Sequence, residues 1–396
     1  MSVWDALLGQ PAAVQYLRAA LARNRAAHGF LFEGPTGVGK RTGAMLLAQT
    51  MLCHEPKSPD EACGACRSCR WFAHGTGLSC EHPDVLVPQK LDTNGRPTGK
   101  LIGDQEPNIP IDSILIIAEQ LHRSPANGPR RIAIIPEAHR LCGGQAEAAN
   151  AFLKTLEEPP PSSTVIMTTS RPEALLETII SRLQPVRFRR LALEDVKRGL
   201  KKAGHADGTD VDLAAALCDG SLGQALALVQ GDLKRWREAL LKLLGQFTPK
   251  SGPVFGLSLW ALAEGEGERL FEAAEEKEDD AAAEEEEEAL SDREQEASAK
   301  TEAGWKRFVF RRLLELTEAA FRDALVAASG GDASLLLQGH DAAGRTLAQK
   351  LAERFGAEGC ERILGSLREA LLANRLYIRG DLIARFLSGR MAAASR

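Results

Sequence analysis

The sequence predicts an α/β P-loop domain, followed by domains made only of helices. Short β-rich runs alternate with helical patterns as far as Arg190, a glycine-rich loop joins the first strand to a helix, and helical periodicity prevails from Leu191 onward. Strands separated by helices require crossover connections, so the sheet should be mainly parallel. With 396 residues, 44% of them hydrophobic, the chain can fill two or three cores.

Four strands are expected in the α/β part, each followed by a turn or a helix signal. They are Phe30–Glu33, Val85–Val87, Arg131–Ile135 and Thr164–Thr169. Apolar residues at helical spacing then predict the following helices: Leu193–Ala203, Val211–Cys218, Leu222–Val229, Trp236–Gln246, Trp305–Ala328, Thr346–Phe355, Cys360–Asn374 and Ile378–Leu387. We therefore expect a P-loop domain over residues 1–190, a small helical domain over 191–235 and a larger helical domain over 236–396.

An acidic segment, residues 264–302, interrupts the last domain. It contains 18 Asp and Glu against 4 Lys and Arg, a net charge of −14 in a chain whose total is −5. Such a segment cannot bury enough apolar surface to fold alone, so we expect a largely disordered insertion. A single charged helix is the alternative, because Ala and Glu favour helix while like charges oppose it.

The rest of the chain carries a net charge of +9. This charge suits work near DNA, although an ordinary charged surface explains it equally well. Eight cysteines are too few for a disulfide scaffold. The N-terminal residues have no uninterrupted apolar run and no later segment approaches the roughly 20 apolar residues of a membrane span, so we expect a cytoplasmic protein without membrane insertion.

The glycine-rich loop follows the first strand and precedes a helical run, as a phosphate-binding loop requires. It consists of Gly34, Pro35, Thr36, Gly37, Val38, Gly39 and Lys40, with Arg41 and Thr42 after it. Backbone N–H groups of such a loop surround phosphates, and the lysine adds a positive charge. Arg41 stands where a Ser or Thr hydroxyl would reach Mg²⁺, and Thr42 comes one residue late, about 100° round the helix. The pattern leaves binding of ATP or ADP open and argues against metal-assisted hydrolysis.

The strand Arg131–Ile135 ends at a second acidic motif. Pro136 stands where a Walker B strand would supply a metal-binding Asp, and proline has no ligand atom. Glu137 could polarise a water molecule, or it could be a carboxylate favoured by the dipole of a helix N-terminus. This motif therefore also argues against hydrolysis.

Four cysteines lie at metal-like spacing. Cys53, Cys63, Cys66 and Cys69 form the pattern C-x9-C-x2-C-x2-C, whose two short intervals let thiolates converge on one ion. Four ligands without an open position are typical of a structural zinc site, in a module of about residues 53–80. Free thiols and an iron–sulfur cluster are the alternatives. Nearby substitutes as ligands are His54, His74, Cys80 and His82, whereas Cys142, Cys218 and Cys360 suit small core positions.

Further segments, together with the loop and the cysteine module, resemble bacterial clamp-loader subunits of the AAA+ class. They are the run Asn150–Pro160, the pair Ser181 and Arg182, the pair Gly9 and Gln10, and the run His28–Phe32. The resemblance covers residues 1 to about 230. It implies an AAA+ domain with an inserted zinc module, a helical lid and a helical collar that joins five subunits in an open ring. The implied partners are gamma/tau and delta subunits, the sliding clamp and primer-template DNA, direct contact with DNA staying open.

Within that family, gamma/tau subunits hydrolyse ATP, and delta-prime is a related stator with a degraded nucleotide site. Arg41, Pro136 and Gly223, the last at the position of the sensor-2 arginine, make the sequence similar to the delta-prime type. Little or no ATPase activity of its own is expected. The resemblance implies that Arg182 acts as an arginine finger on the ATP of a neighbouring subunit, although Leu183 replaces the usual Cys. It places Thr168–Ser170 at the sensor-1 position.

Two alternatives stay open. An active gamma/tau-type ATPase would have to work without the three missing side chains. A zinc-bearing DNA-binding protein with a relic nucleotide fold would need a basic surface lined by aromatic residues, but aromatic residues make up only 5% of the chain.

Overall fold

The structure is a computed structural model of the chain. It describes residues 2–23, 27–72, 82–102, 108–142, 146–206, 208–230, 233–248, 252–281, 301–332, 336–337, 342–376 and 378–394. These residues form two compact units, Met1–Gly199 with Gly220–Gly223, and Leu200–Asp219 with Gln224–Arg396. The three-domain division expected from the sequence stays a prediction.

The first unit contains a five-stranded parallel sheet, whose strands lie in the order Val85–Leu86, Arg131–Ile135, Ser163–Thr169, Gly29–Glu33 and Gln184–Arg187. Its strands are β1 (Gly29–Glu33), β2 (Val85–Leu86), β5 (Arg131–Ile135), β6 (Ser163–Thr169) and β7 (Gln184–Arg187). The parallel sheet and four of its strands were predicted from the sequence. Its helices are α1 (Pro11–Ala22), α2 (Lys40–Leu52), α3 (Arg67–Arg70), α4 (Ile111–Leu121), α5 (Glu147–Glu157), α6 (Glu177–Ile180) and the start of α7 (Leu193–Lys202).

Side chains of the strands alternate between two cores on opposite faces of the sheet. Phe30 and Phe32 pack on the face that carries residues of α1 and α2, whereas Leu31 packs on the face that carries α4 and α5. Because both faces are covered, the central residues of β1, β5 and β6 are apolar on both faces. The carboxyl ends of β1, β5 and β6 lie at one edge of the sheet, the edge at which open α/β sheets bind ligands.

The sequence patterns missed β7 and a hairpin. In β7 only Val186 is buried, while Pro185 and Arg187 are exposed, so no apolar pattern indicates a strand. Proline is tolerated there because β7 is an edge strand. The hairpin pairs β3 (Gln89–Leu91) with β4 (Pro97–Leu101).

Two aspartates organise loops of this unit by accepting backbone N–H bonds. Asp84 is fully buried and accepts bonds of 2.6–2.7 Å from three backbone N–H groups of the loop before β5. Asp92 lies exposed at the turn of the hairpin and accepts two such bonds of 2.8 Å. The two carboxylates thus make similar bonds in different surroundings.

The second unit is helical. It contains the end of α7, α8 (Thr209–Leu217), most of α9 (Leu222–Gln230), α10 (Leu233–Gln246), α11 (Gly252–Ala281), α12 (Glu302–Ala328), α13 (Ala342–Arg375) and α14 (Gly380–Ala394). Helix α13 is broken at Gly356, where φ is 62°, so its two arms correspond to the two helices predicted there. Large aromatic side chains such as Trp236, Phe310 and Phe321 fill the core.

The first part of the segment expected to be disordered is helical, which corrects that expectation. Helix α11 continues as far as Ala281. Cations of other helices offset its acidic charge, because Glu266 pairs with Arg235 at 2.8 Å and Glu268 pairs with Lys306 at 2.7 Å. Residues 282–300 of the predicted insertion lie outside the described residues. Among the described helices, none is both long and apolar enough to cross a bilayer.

Candidate functional site

The glycine-rich loop lies at the carboxyl edge of the sheet, between β1 and α2. Gly37 and Gly39 adopt positive φ angles of 73° and 96°, which glycine tolerates without strain. A Cβ atom on Gly37 would lie 2.1 Å from Ser221 Oγ. The carbonyl of Gly37 accepts a bond from the backbone N–H of Gly223 at 3.1 Å. The segment around Gly223 therefore packs directly on the loop.

Lys40 is buried and turned towards its own loop. Its Nζ donates to the carbonyl oxygens of Gly34 and Pro35, at 2.8 and 2.7 Å. It also lies 3.7 Å from Oε1 of Glu137. The ammonium group thus has oxygen partners in the structure at the position where a P-loop lysine meets phosphate.

Glu137 faces this lysine from the end of β5. Its Oε2 accepts bonds from Ser170 Oγ at 2.7 Å and from Ser170 N at 3.1 Å, and its own N–H donates to Thr168 Oγ1 at 3.2 Å. Burial would raise the pKa of Glu137, but the charge of Lys40 and the bond from Ser170 outweigh it and lower the pKa. An ionised carboxylate therefore lies beside the loop. Its contacts with Lys40 and Ser170 go beyond the interaction with a helix dipole that the sequence left open.

His139 completes this polar cluster. Its Nδ1 lies 3.1 Å from Thr169 Oγ1 and 3.5 Å from Oε2 of Glu137. Burial, followed by the charge of Arg171, lowers the pKa of His139. The imidazole is thus neutral near pH 7, and the cluster combines one ammonium group and one carboxylate.

Arg41 and Thr42 follow Lys40 in the first turn of α2, and both are half-buried. Among the described residues, no hydrogen bond turns the Thr42 hydroxyl towards the loop. The absence of metal-assisted ATP hydrolysis therefore stays a prediction from the sequence.

The four predicted cysteines converge. All four Sγ atoms lie within 4.8 Å of one another, and individual Sγ–Sγ distances are 3.6 Å (Cys53–Cys63), 3.9 Å (Cys53–Cys66) and 3.8 Å (Cys63–Cys69). A tetrahedron with metal–sulfur bonds of about 2.3 Å has edges of about 3.8 Å, whereas a disulfide needs about 2 Å. The arrangement therefore fits one tetrahedral metal ion.

Backbone N–H groups point at these sulfur atoms, as thiolate ligands require. The N–H groups of Cys63, Cys66 and Cys69 donate to neighbouring Sγ atoms at 3.2–3.4 Å. Burial would raise the pKa of Cys66, but the N–H groups of Cys69 and His54 lower it to about 6. Burial raises the pKa of Cys53 and Cys69, so a bound cation would be needed to ionise all four thiols.

The alternative metal ligands considered from the sequence make other contacts where the structure describes them. His82 is buried, and its Nε2 lies 3.1 Å from Ser68 Oγ, whereas His54 Nε2 lies 2.8 Å from the carbonyl of Asn127. His74 and Cys80 lie outside the described residues. Among the other cysteines, Cys218 and Cys360 are buried as expected and Cys142 is half-buried.

The cysteine module is attached to the N-terminal residues. Glu61 accepts bonds from Ser2 Oγ at 2.7 Å and from the Val3 N–H at 3.0 Å. The indole N–H of Trp4 donates to the carbonyl of Asp60 at 3.0 Å, and Arg18 pairs with the Asp60 carboxylate at 2.7 Å. These contacts form an N-terminal clasp, consisting of Ser2–Trp4 and Asp60–Glu61.

Arg182 follows α6 at the surface, with one third of its side chain exposed. Its Nη2 donates to Oε1 of Glu157 and its Nη1 donates to the carbonyl of Thr178, both at 2.7 Å. The hydrogen bonds of Arg182 go to residues of this region, and within the described part of the chain none reaches the glycine-rich loop. The guanidinium is therefore held at the surface.

Sequence reasoning did not identify Ser170 as the partner of Glu137, nor Glu157 as the partner of Arg182. Ser170 could have been found from the sheet order, because β6 lies between β1 and β5. Glu157 has no such signal beyond its place in the run Asn150–Pro160. Gln10 is one of the residues on which the family resemblance rests. Its Nε2 donates to the Val38 carbonyl at 3.2 Å, which gives it a structural role.

Comparisons with known proteins agree on one family. A family model described as DNA polymerase III, delta subunit, matches residues 9–192. The DNA polymerase III subunit delta' of Escherichia coli is 32% identical over 61% of this chain and 66% of its own length. The subunit delta' of Bacillus subtilis is 32% identical over 47% of this chain and 50% of its own length.

A second type of relative is similar to the same extent. The DNA polymerase III subunit tau of Bacillus subtilis is 30% identical over 60% of this chain and 40% of its own length. The chain thus spans about half the length, or less, of the two Bacillus subtilis relatives. Because delta' and tau subunits are similar to this chain at nearly equal identity, the comparisons identify the family and do not distinguish its two types. With its parallel sheet, its glycine-rich loop and these relatives, the chain belongs to the AAA+ clamp-loader family of DNA polymerase III.

Proposed function

We propose that the chain is a delta-prime-type stator of a bacterial clamp loader. In this role it joins gamma/tau and delta subunits, hydrolyses little or no ATP itself, and helps place the sliding clamp on primer-template DNA. The observation that carries the proposal is Pro136, which directly follows the strand Arg131–Ile135 and has no ligand atom where an ATPase needs a Mg²⁺ ligand.

Residues at three positions support the same proposal. Arg41 and Pro136 stand where Mg²⁺ ligands would be needed, and Gly223 lacks a side chain that could reach a γ-phosphate. The Gly223 N–H instead bonds the loop at Gly37. We therefore expect ATP or ADP to bind weakly, and without turnover.

The role that we propose for Arg182 is that of a finger in trans. Arginine suits this role because its planar guanidinium, which is always charged, stabilises the charge that develops on a transferring phosphoryl group. Arg182 is exposed in part and bonds no group of the loop in its own chain. Both features support action on the ATP of a neighbouring gamma/tau subunit.

We propose a structural Zn²⁺ ion for the cysteine cluster. The donor set of four thiolates selects zinc or an iron–sulfur cluster over magnesium or calcium. Because all four positions would be taken by sulfur, the ion would stabilise the module and would leave no position for a reacting water molecule.

Steady-state ATP hydrolysis tests the proposal. The chain should be silent alone, whereas the complex with gamma/tau, delta, clamp and primed DNA should turn over ATP and should slow when it contains Arg182→Ala. Arg198→Ala is the matched control, because Arg198 is also exposed and pairs with a carboxylate at 2.7 Å. An unchanged rate with Arg182→Ala contradicts the stator role.

The second candidate is an active gamma/tau-type ATPase. It is favoured by the presence of both Lys40 and Glu137, at 3.7 Å. Substantial ATP turnover by the isolated chain, abolished by Lys40→Ala, would establish this candidate in place of the stator.

A further inference from the structure

We infer that Glu157 is a positioning residue for the Arg182 finger. Its carboxylate would orient the guanidinium towards the ATP of the neighbouring subunit. This inference rests on the proposed function, since it assigns a partner to the arginine that the stator presents. It also gives a role to the run Asn150–Pro160, in which Glu157 is the last residue of α5.

The contacts fix the guanidinium at two separate nitrogen atoms. Nη2 donates to Glu157 and Nη1 donates to the carbonyl of Thr178, each at 2.7 Å, and Nη1 also lies 3.4 Å from Ser181 Oγ. Two bonds at different nitrogens set the plane of the group. A guanidinium has five N–H donors, so donors remain for a phosphate.

Both partners are carried by rigid elements. On α5, Phe152 and Leu156 are buried in one core, and on the segment that carries Arg182, Ile179 and Leu183 are buried in the same core. The backbone positions of Glu157 and Arg182 are therefore fixed by packing that does not depend on the bond between their side chains.

Fixing this side chain matters because arginine is long. Holding a free arginine side chain in one rotamer costs conformational entropy. A finger that is already held would meet the transition state without that cost at the moment of reaction. Glu157 can thus raise the rate without touching ATP.

The same pair should add little to fold stability. The side chains of Glu157 and Arg182 are 48% and 33% exposed, and exposed ion pairs contribute little. A Glu157 variant should therefore lose rate and keep its thermal midpoint, which distinguishes a positioning role from a structural one.

The experiment measures ATP hydrolysis by the complex that contains the full chain, gamma/tau, delta, clamp and primed DNA. We expect Glu157→Ala to lower kcat about tenfold, the equivalent of one charge-assisted hydrogen bond. The KM for ATP should stay within about twofold, because the contact acts in the transition state. Glu157→Gln keeps an acceptor and should lose less. Glu158→Gln, at the exposed neighbouring position, is the matched control and should retain the full rate.

A double variant shows whether Glu157 acts through the arginine. Adding Glu157→Ala to Arg182→Ala should slow the reaction no further. A full rate with Glu157→Ala, a faster rate, or an additional loss in the double variant would each overturn the inference while leaving the stator role intact. An unchanged rate with Arg182→Ala alone would instead overturn the proposed function.

Discussion

The buried carboxylate of Asp84 allows a quantitative test of how the loop before β5 is held. Asp84→Asn would keep one acceptor oxygen and would turn an NH₂ group towards backbone donors. In the better orientation, the bonds from Asn127 and Gly128 survive on a neutral acceptor, whereas the bond from Ala126 and the ion pair with Arg131 at 3.9 Å are lost. Bonds to charged groups contribute roughly 1.5–3 kcal/mol and neutral ones about 1 kcal/mol.

The weakened and lost bonds destabilise the variant, whereas the neutral amide avoids the desolvation cost of a buried carboxylate. The net loss is about 3 kcal/mol. We expect this loss in the free energy of unfolding of the first unit. Hydrogen exchange of the β5 amides measures it directly, because it follows the sheet separately from the helical unit.

Asp92→Asn is the matched control. Asp92 accepts two backbone N–H bonds at 2.8 Å, both on Oδ1, and it is exposed. Asn keeps one such oxygen and water can solvate the other group, so the loss should be about 0.5 kcal/mol. Equal losses in the two variants, or a loss below about 1 kcal/mol in Asp84→Asn, would refute the argument that burial gives these bonds their strength.

Three further predictions concern the site. Cys63→Ser should lower the zinc content from one ion per chain to near zero, as measured by atomic absorption; retained zinc would exclude a four-cysteine site. Burial lowers the folded-state pKa of His139, so stability should be full above the unfolded value of about 6.5 and lost as pH falls through the folded pKa. His139→Gln should flatten this slope between pH 8 and 5 in thermal unfolding, and an unchanged slope would assign it to other groups. Gly37→Ala should destabilise the first unit by about 1–2 kcal/mol, because φ is 73° and Ser221 blocks the added Cβ atom; a thermal midpoint equal to wild type would contradict this.

Local features of the fold could be predicted because the physics that specifies them is local. A buried strand, a glycine-rich turn and a helix follow one another from Phe30 to Met51, so the P-loop region needed no distant information. The four cysteines lie within 17 residues, and their spacing alone predicted convergence. Strand β7 was missed because its short exposed pattern, with Pro185, resembles a loop.

The partners within the site depend on contacts distant in sequence. Ser170 meets Glu137 across 33 residues, and Arg182 meets Glu157 across 25. Hydrophobic periodicity along the sequence gives no information on such pairs. The prediction for the acidic part of α11 was wrong for a related reason. Composition gives the charge of the segment but gives no information on the ion pair between Glu268 and Lys306 of another helix.

The N-terminal clasp has a consequence for the order of events during synthesis. Ser2, Val3 and Trp4 are translated 56 to 59 residues before the groups that they bind. A loop of this length closes at moderate entropic cost, but it can close only when Asp60 and Glu61 have left the ribosome. The clasp can nevertheless close before the sheet is complete, because the partners of β1 are β6 and β7, which begin only at residues 163 and 184. On the nascent polypeptide, the start of the chain should therefore become attached to the cysteine module, and protected from proteases, before β1 is paired.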